Sequence, residues 1–413
     1  MSIHHQDIII IGGGSAGIAA AVSAAQEGLN VTIIEKNSFF GGKATSAEVG
    51  TVCGLFKYSN TQDYLVHGFT REFANQLQIL SNSQPISNHH GLHFLPYSIE
   101  AFKNLCLDLL SQYQIKILLN SNVIEVDEKN NQVESITIEL ENEKRTISCR
   151  SIIDCSGESI VSQLSELPIH SNDTYQAAAQ VFTIDGLPEM NEMNLNLVMM
   201  RAIQKAIQSQ LLDQHFERLY LVLGSYHHHQ ASFKLGIPLE VDHSANNLLM
   251  LRETAVKMIH ELIAYLKNNI ETFKDIHLQH IAPEVGTRVG IRSQGRYTLT
   301  LDDVLEAKKF DHAIANCSWP IEEWGQDRKV KLRFFQLDDY YQIPAECLQS
   351  DKISNLFFGG RNISATNEAI ASARVMGICL QTGYAAGKLA ANCIQKQDEI
   401  NVIRSIQLNQ LLY

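Results

Sequence analysis

The stretch that decides the fold is Asp7-Ile8-Ile9-Ile10-Ile11, followed at once by Gly12-Gly13-Gly14-Ser15-Ala16-Gly17. The isoleucine run has no helical period and reads as a short buried strand. After the glycines, Ile18-Ala19-Ala20-Ala21-Val22-Ser23-Ala24-Ala25 is small and helix-compatible. Gly28 breaks that pattern, and Val31-Thr32-Ile33-Ile34 ends in Glu35. Strand, tight turn, helix, strand and acid together make a dinucleotide-binding βαβ unit. Gly12 allows the tight turn, Gly14 lets backbone approach a pyrophosphate, and Gly17 lets helix pack on strand. The helix N-terminus offers free N–H groups and a positive dipole end to phosphates. Glu35 lies 18 residues beyond Gly17, where a carboxylate can accept hydrogen bonds from ribose hydroxyls. A glycine-rich turn in an ordinary α/β protein would leave that acid unexplained.

Working outward, the 413 residues are 45% apolar and 19% charged, enough for a large core and for two domains or one with an insertion. A formal net charge of −12 argues against non-specific binding to nucleic acid or anionic membranes. The eight cysteines are scattered without a CxxC pair, the pattern of reduced thiols. The first apolar run has no cationic flank and is stopped by glycines. Neither a signal peptide nor a spanning helix is therefore expected, and a cytoplasmic location is.

Along the chain, 98–113 is a helix candidate that Ser98 can cap, and 115–119 reads as a strand. Residues 122–127, 132–140 and 145–149 alternate like antiparallel strands, and 151–154 is a further buried strand entering Cys155-Ser156-Gly157-Glu158. From about 175 to 345 the character changes. Strand-like pieces (176–184 and 218–223) alternate with helices expected over about 194–212 and 245–268. After that, Asn355-Leu356-Phe357-Phe358 is a buried strand, Gly359-Gly360-Arg361-Asn362 a turn, and Gly383-Tyr384-Ala385-Ala386-Gly387 lies inside a last helix ending near Cys393. A late strand and a helix whose N-terminus faces the first glycine loop suit a flavin, whose pyrimidine gathers negative charge on reduction.

These blocks resemble the FAD-dependent oxidoreductase family, flavoproteins of the two-dinucleotide-binding-domain class distant from fumarate reductase and succinate dehydrogenase flavoproteins. The resemblance runs nearly end to end. It rests on the glycine loop with Glu35-Lys36, on Gly41-Gly42-Lys43-Ala44-Thr45, and on Asp154-Cys155-Ser156-Gly157-Glu158. It continues through Arg288-Val289-Gly290-Ile291-Arg292 with Gly295 to Val304, and ends in Gly360-Arg361-Asn362-Ile363-Ser364, Arg374-Val375-Met376 and Gly383 to Gly387. It implies an α/β fold: a Rossmann-like FAD-binding domain (1–174 and 346–413) with an inserted α+β substrate or cap domain (175–345). It implies FAD as cofactor, with Ser15 and Ala16 at the pyrophosphate, Glu35 at the adenosine ribose, Lys36 beside the adenosine and Val123 meeting adenine through its backbone. Gly42, Lys43 and Ala44 would lie along ribityl and isoalloxazine. Ser156 and Gly157 would stand beside the adenosine half, Gly360 and Arg361 at the ribityl-phosphate region, and Gly383 at the pyrimidine edge. Two departures stand out. Only Ser293-Gln294 separates Arg292 from Gly295, where the family has a longer arginine-rich stretch, and Tyr384 stands where it often has Gln.

The catalytic residues are not legible. Arg288 and Arg292, four apart, would share a face if helical and could clamp a carboxylate; salt bridges between domains are the other reading. His227-His228-His229 and His89-His90 invite a metal, but adjacent histidines on a strand point to opposite faces, and no cysteine or acid cluster supports them. No metal is expected. Cys53 reads as a buried structural thiol. Trp319 and Trp324 read as packing residues, with stacking on a substrate as the alternative. The expected activity is a dehydrogenase or oxidase that moves hydride from a small organic substrate to the flavin and electrons onward to oxygen or another acceptor. A flavin monooxygenase or halogenase is the alternative, weakened because Gly360-Arg361 stands where aromatic hydroxylases carry Gly-Asp. A flavin-binding structural or redox-sensing protein is the non-enzyme alternative. No second glycine unit for a nicotinamide is evident, and the oligomeric state stays open.

Overall fold

The computed structural model describes residues 5–88, 90–172, 175–325 and 330–396; His89 of the histidine pair lies outside them. Strand His5–Ile11 is the centre of a parallel sheet. On one side it pairs with Val31–Ile34, which pairs in turn with Lys116–Leu118. On the other it pairs with the second half of Glu143–Asp154, and Leu356–Phe358 lies beyond. Ile8 and Ile10 are buried in one hydrophobic cluster and Ile9 and Ile11 in another, as a strand covered on both faces requires. The strand order reverses between His5–Ile11 and Glu143–Asp154. In an open α/β sheet a ligand crevice lies outside the carboxyl ends at such a point.

The two pieces expected at 145–149 and 151–154 are one twelve-residue strand with two partners. Its first half pairs antiparallel with Gln132–Leu140, which pairs with Ser121–Lys129. Its second half joins the parallel sheet, and Ser148 stands opposite both Ser135 and His5. Alternating burial gives way to continuous burial from Ser151 on, because there the sheet gains cover on its second face.

Helix Ser15–Gln26 and the last helix, Met376–Lys396, pack against each other at very close range. A Cβ on Gly383 would sit 2.1 Å from the Ala16 carbonyl oxygen, and one on Gly387 2.4 Å from that of Ala20. Small residues there bring the last helix up to the glycine loop.

A separate layer is a four-stranded antiparallel sheet in the order Leu219–Leu221, Ala231–Gly236, Ala179–Asp185, His277–Ile281. Helices Glu192–Gln208 and Ala245–Asn269 accompany it. The first begins two residues earlier than its sequence pattern indicates, because Asn191 caps it by accepting from Asn194 N–H, and it ends four residues earlier, at Gln208. The layer has its own core, including Phe182, Leu195, Phe216, Phe233, Leu262 and Phe273. Beyond it, Val285, Leu299, Trp319 and Tyr341 belong to a core on one face of the parallel sheet.

Candidate active site

A cleft of about 650 Å³ opens at the carboxyl ends of the two central strands. Gly12, Gly14, Ser15, Ala16, Glu35, Lys36, Gly42, Lys43, Ala44, Ser156, Gly157, Gly360 and Arg361 all line it, from five separate stretches of sequence. Gly17, Val123 and Gly383 do not. A Cβ on Gly17 would fall 1.8 Å from the Gly12 carbonyl oxygen, so its place is in packing, as is that of Gly383. Val123 is half-buried in the hairpin beside the parallel sheet, opposite Ile138.

The first turn of helix Ser15–Gln26 has no side-chain cap, since its N-cap is Gly14. Its N–H groups are left for a ligand, and its positive end points into the cleft. Gly12 holds φ +95°, and a Cβ there would meet the Cys155 carbonyl oxygen at 2.5 Å. Glu35 is 5% exposed. It accepts from Gly13 N–H at 2.7 Å and Asn37 N–H at 2.9 Å. Burial raises its carboxyl above the ordinary value against those two bonds.

Asp154, fully buried, organises the opposite wall. It accepts from Ser156 N–H at 3.0 Å, Ser156 Oγ at 2.6 Å, Val161 N–H at 2.8 Å and Asn362 Nδ2 at 2.5 Å. The Asp154–Glu158 turn is thereby tied to the Gly360–Asn362 turn. Arg361 faces Glu158 at 3.6 Å, and His243 faces the same carboxylate at 3.4 Å. Lys43 donates to Glu284 Oε2 at 2.6 Å and to the Val285 carbonyl at 3.1 Å, which ties the glycine segment to the far side of the cleft. Burial works to raise the Glu284 carboxyl, but Lys43 beside it brings it down to about 2.

A second cavity of about 330 Å³ adjoins the cleft and shares Lys43, Ala44, Thr287, Arg361, Arg374 and Met376 with it. Arg288 lines this chamber, its guanidinium 4.0 Å from the centre of the Trp324 ring and donating to the Ala177 carbonyl. Arg292 does not. It is 1% exposed and donates to the carbonyls of Ala365 (3.0 Å) and Gly290 (2.8 Å) and to Asn172 Oδ1 (3.3 Å). No helix forms at 288–292; the segment is extended into a short strand at Arg292–Ser293, and the two arginines do not converge on one ligand. Trp319 and Trp324 both line the second chamber, as do Lys234 and Glu322. Sequence spacing could not find Lys234 and Glu322, because they are brought in by a distant sheet and a hairpin. Cys53 also lines it, and burial pushes its thiol up to about 12. Of the histidine run, His227 Nε2 meets the Gly224 carbonyl and His229 Nδ1 the Leu187 carbonyl, both at 2.9 Å. Among the described residues no helix is long and apolar enough to cross a membrane.

An uncapped helix N-terminus, a glycine-lined floor and a buried acid on the same cleft suit a dinucleotide, and the residues present fit FAD. The chain belongs to the FAD dependent oxidoreductase family, whose model matches residues 7–412. Over 59 residues it is 44% identical to dihydrolipoamide dehydrogenase of Chaetomium thermophilum, which is 14% of this chain and 11% of that protein. The chain thus matches about a tenth of that relative's length. OxyS anhydrotetracycline hydroxylase from Streptomyces rimosus superposes with a TM-score of 0.53 at 9% identity, covering 97% of this chain and 64% of that one. CabE, an aromatic hydroxylase from angucycline biosynthesis, gives 0.50 at 9% identity, covering 96% and 64%. At such identities the likeness is one of fold.

Proposed function

We propose that the protein is a dehydrogenase or oxidase that binds FAD in the large cleft and a small organic substrate in the adjoining chamber. The observation that carries this reading is the shared wall. Lys43, Ala44, Thr287, Arg361, Arg374 and Met376 border both cavities, so a cofactor in one and a substrate in the other would meet there. When bound, FAD supplies the redox chemistry by accepting hydride at its flavin N5. The chain supplies the rest. The N–H groups of Ser15 and Ala16 receive the pyrophosphate, and Glu35 accepts from the ribose, with Lys36 at the mouth. Gly42, Lys43 and Ala44 would hold the ring system from one side of the cleft, and Ser156, Gly157, Gly360 and Arg361 would hold the cofactor from the facing wall. Gly17 and Gly383 act through packing, and Val123 is assigned to adenine by resemblance alone. We place the cap over 175–345, with its independent core at 182–281, where it forms much of the chamber's roof and holds water away from the shared wall.

The test is direct. Purified protein should show the yellow flavin spectrum, and anaerobic addition of a substrate from a small-metabolite library should bleach it. Protein that neither carries FAD nor takes it up on reconstitution would sink the reading. Rapid NAD(P)H oxidation stimulated by an aromatic compound would replace it with the monooxygenase reading.

A further inference from the structure

We propose that the second chamber takes an organic carboxylate with an apolar body, its oxygens received by Lys234, Arg288 and Arg374. This rests on the reading of that chamber as the substrate site. The first observation is the charge balance. Lys43 and Arg361 are already matched by Glu284 and Glu158. Of the remaining lining residues, Lys234, Arg288 and Arg374 are cationic and Glu322 alone is anionic, an excess of two positive charges among the described residues. Glu322 is in turn engaged by Arg374 at 3.3 Å. Lys234, from the middle of the antiparallel sheet, has no hydrogen-bond or ion-pair partner for its ammonium among the described residues. Arg288 has a carbonyl and a tryptophan face but, among the described residues, no carboxylate at ion-pair distance; Glu322 acts on it only from farther away.

The second observation concerns the polarity of what is left unsatisfied. Three buried side-chain atoms in the chamber's lining have no hydrogen-bond partner among the described residues: Trp319 Nε1, Trp324 Nε1 and Arg374 Nε. All three are donors. A chamber that presents only unmatched donors and unmatched positive charge is complementary to an acceptor-rich anion, because a buried donor left bare costs about 1–3 kcal/mol. Burial, and then the neighbouring Arg288, lower the Lys234 pKa, while burial and Arg374 bring Arg288 down to about 9. Cations held this close out of water repel one another until an anion lies between them. The rest of the wall is apolar (Val49, Val181, Leu221, Val222) and has no use for a fully hydrated inorganic ion. Lys234 is thus assigned as a positioning and specificity residue.

The chain's two tryptophans, Trp319 and Trp324, both border this chamber, so intrinsic tryptophan fluorescence reports on it independently of any flavin. FAD-loaded protein would be titrated with benzoate, benzamide and inorganic phosphate, following tryptophan fluorescence and flavin absorbance together. Benzoate should bind saturably, and benzamide and phosphate each at least about tenfold more weakly, a difference of about 1.4 kcal/mol. Lys234→Met should weaken benzoate by about tenfold with FAD content unchanged, and Lys234→Arg should recover most of the loss. Benzamide or phosphate binding as tightly as benzoate would overturn the proposal, as would a flavin-bearing Lys234→Met protein with wild-type benzoate affinity. A benzoate-specific fluorescence change in protein that carries no flavin would uphold the anion site and fail the cofactor reading. Flavin-bearing protein blind to benzoate would do the reverse.

Discussion

Replacing Gly383 by alanine separates two roles for one residue. Sequence resemblance puts Gly383 at the flavin, whereas the structure puts it between two helices. The added methyl carbon would lie 2.1 Å from the Ala16 carbonyl oxygen and 2.6 Å from the Ala16 Cα. Relieving that requires the helices to part by roughly 1 Å, since carbon contacts are comfortable only near 3.5–4.0 Å. Overpacking of this kind costs about 1–3 kcal/mol, and the obstacle here is backbone that cannot rotate aside, which favours the upper half. Alanine in a helix interior returns about 1 kcal/mol over glycine. The net expectation is a loss of about 1–2 kcal/mol, a fall of about 1–2 °C in the unfolding midpoint of a chain this long. Circular dichroism melts of FAD-free and FAD-loaded protein measure it, and both forms should lose stability together. FAD affinity should fall as well, because Ala16 borders the cleft. A variant as stable as the parent without FAD, and weakened only in FAD binding, would refute the packing argument.

Glu35→Ala leaves the Gly13 and Asn37 N–H groups unpaired. It should lower stability by about 1–3 kcal/mol and FAD affinity by about tenfold or more, read by denaturation and by flavin fluorescence on titration. The Glu284 carboxyl, ordinarily near 4.5, is held at about 2 in the folded protein. A depressed carboxyl contributes stability that is complete above the unfolded value and lost as pH falls toward the folded one. Glu284→Gln should therefore remove stability at pH 7 but flatten its decline between about pH 4.5 and 2, as denaturation midpoints across that range would show; an unchanged slope would contradict the Lys43 pairing. The Cys53 thiol, raised to about 12 by burial, should stay protonated at pH 8–9. Cys53→Ser should then leave the flavin spectrum unaltered, and loss of a long-wavelength band in that variant would show a thiolate beside the ring.

The parts of the site that were legible in sequence are those where backbone geometry leaves one residue type no substitute. Gly12 and Gly17 are glycine because a carbonyl oxygen occupies the space of a side chain, and such constraints appear as fixed local spacing. Glu35 was legible because one helix and one strand set its distance from the loop. Asp154, Gly360 and Arg361 could be named but not joined: the bond from Asn362 to Asp154 spans 208 residues, and no local pattern records it. Lys234, Glu284 and Glu322 were not legible at all. Each looks like an ordinary surface charge in its own segment and becomes part of a chamber only when a hairpin or sheet carries it there. Arg292 misled for the same reason: four-residue spacing has meaning on a helix, and the chain there is extended.

The Asp154 clasp also has a consequence in time. During synthesis at about 5–20 residues per second, roughly 10–40 s separate the emergence of Asp154 from that of Asn362. Over most of that interval the Ile152–Asp154 edge of the parallel sheet waits for Leu356–Phe358 to cover it. An open edge of buried-type residues is a template for pairing with another chain. The nascent protein is thus most vulnerable after its nucleotide loop is made and before its last strand arrives. A chain ending before Leu356 should aggregate in a light-scattering assay where the full-length protein does not. The strand that brings Asn362 to Asp154 thus also covers the edge that the nascent chain leaves open longest.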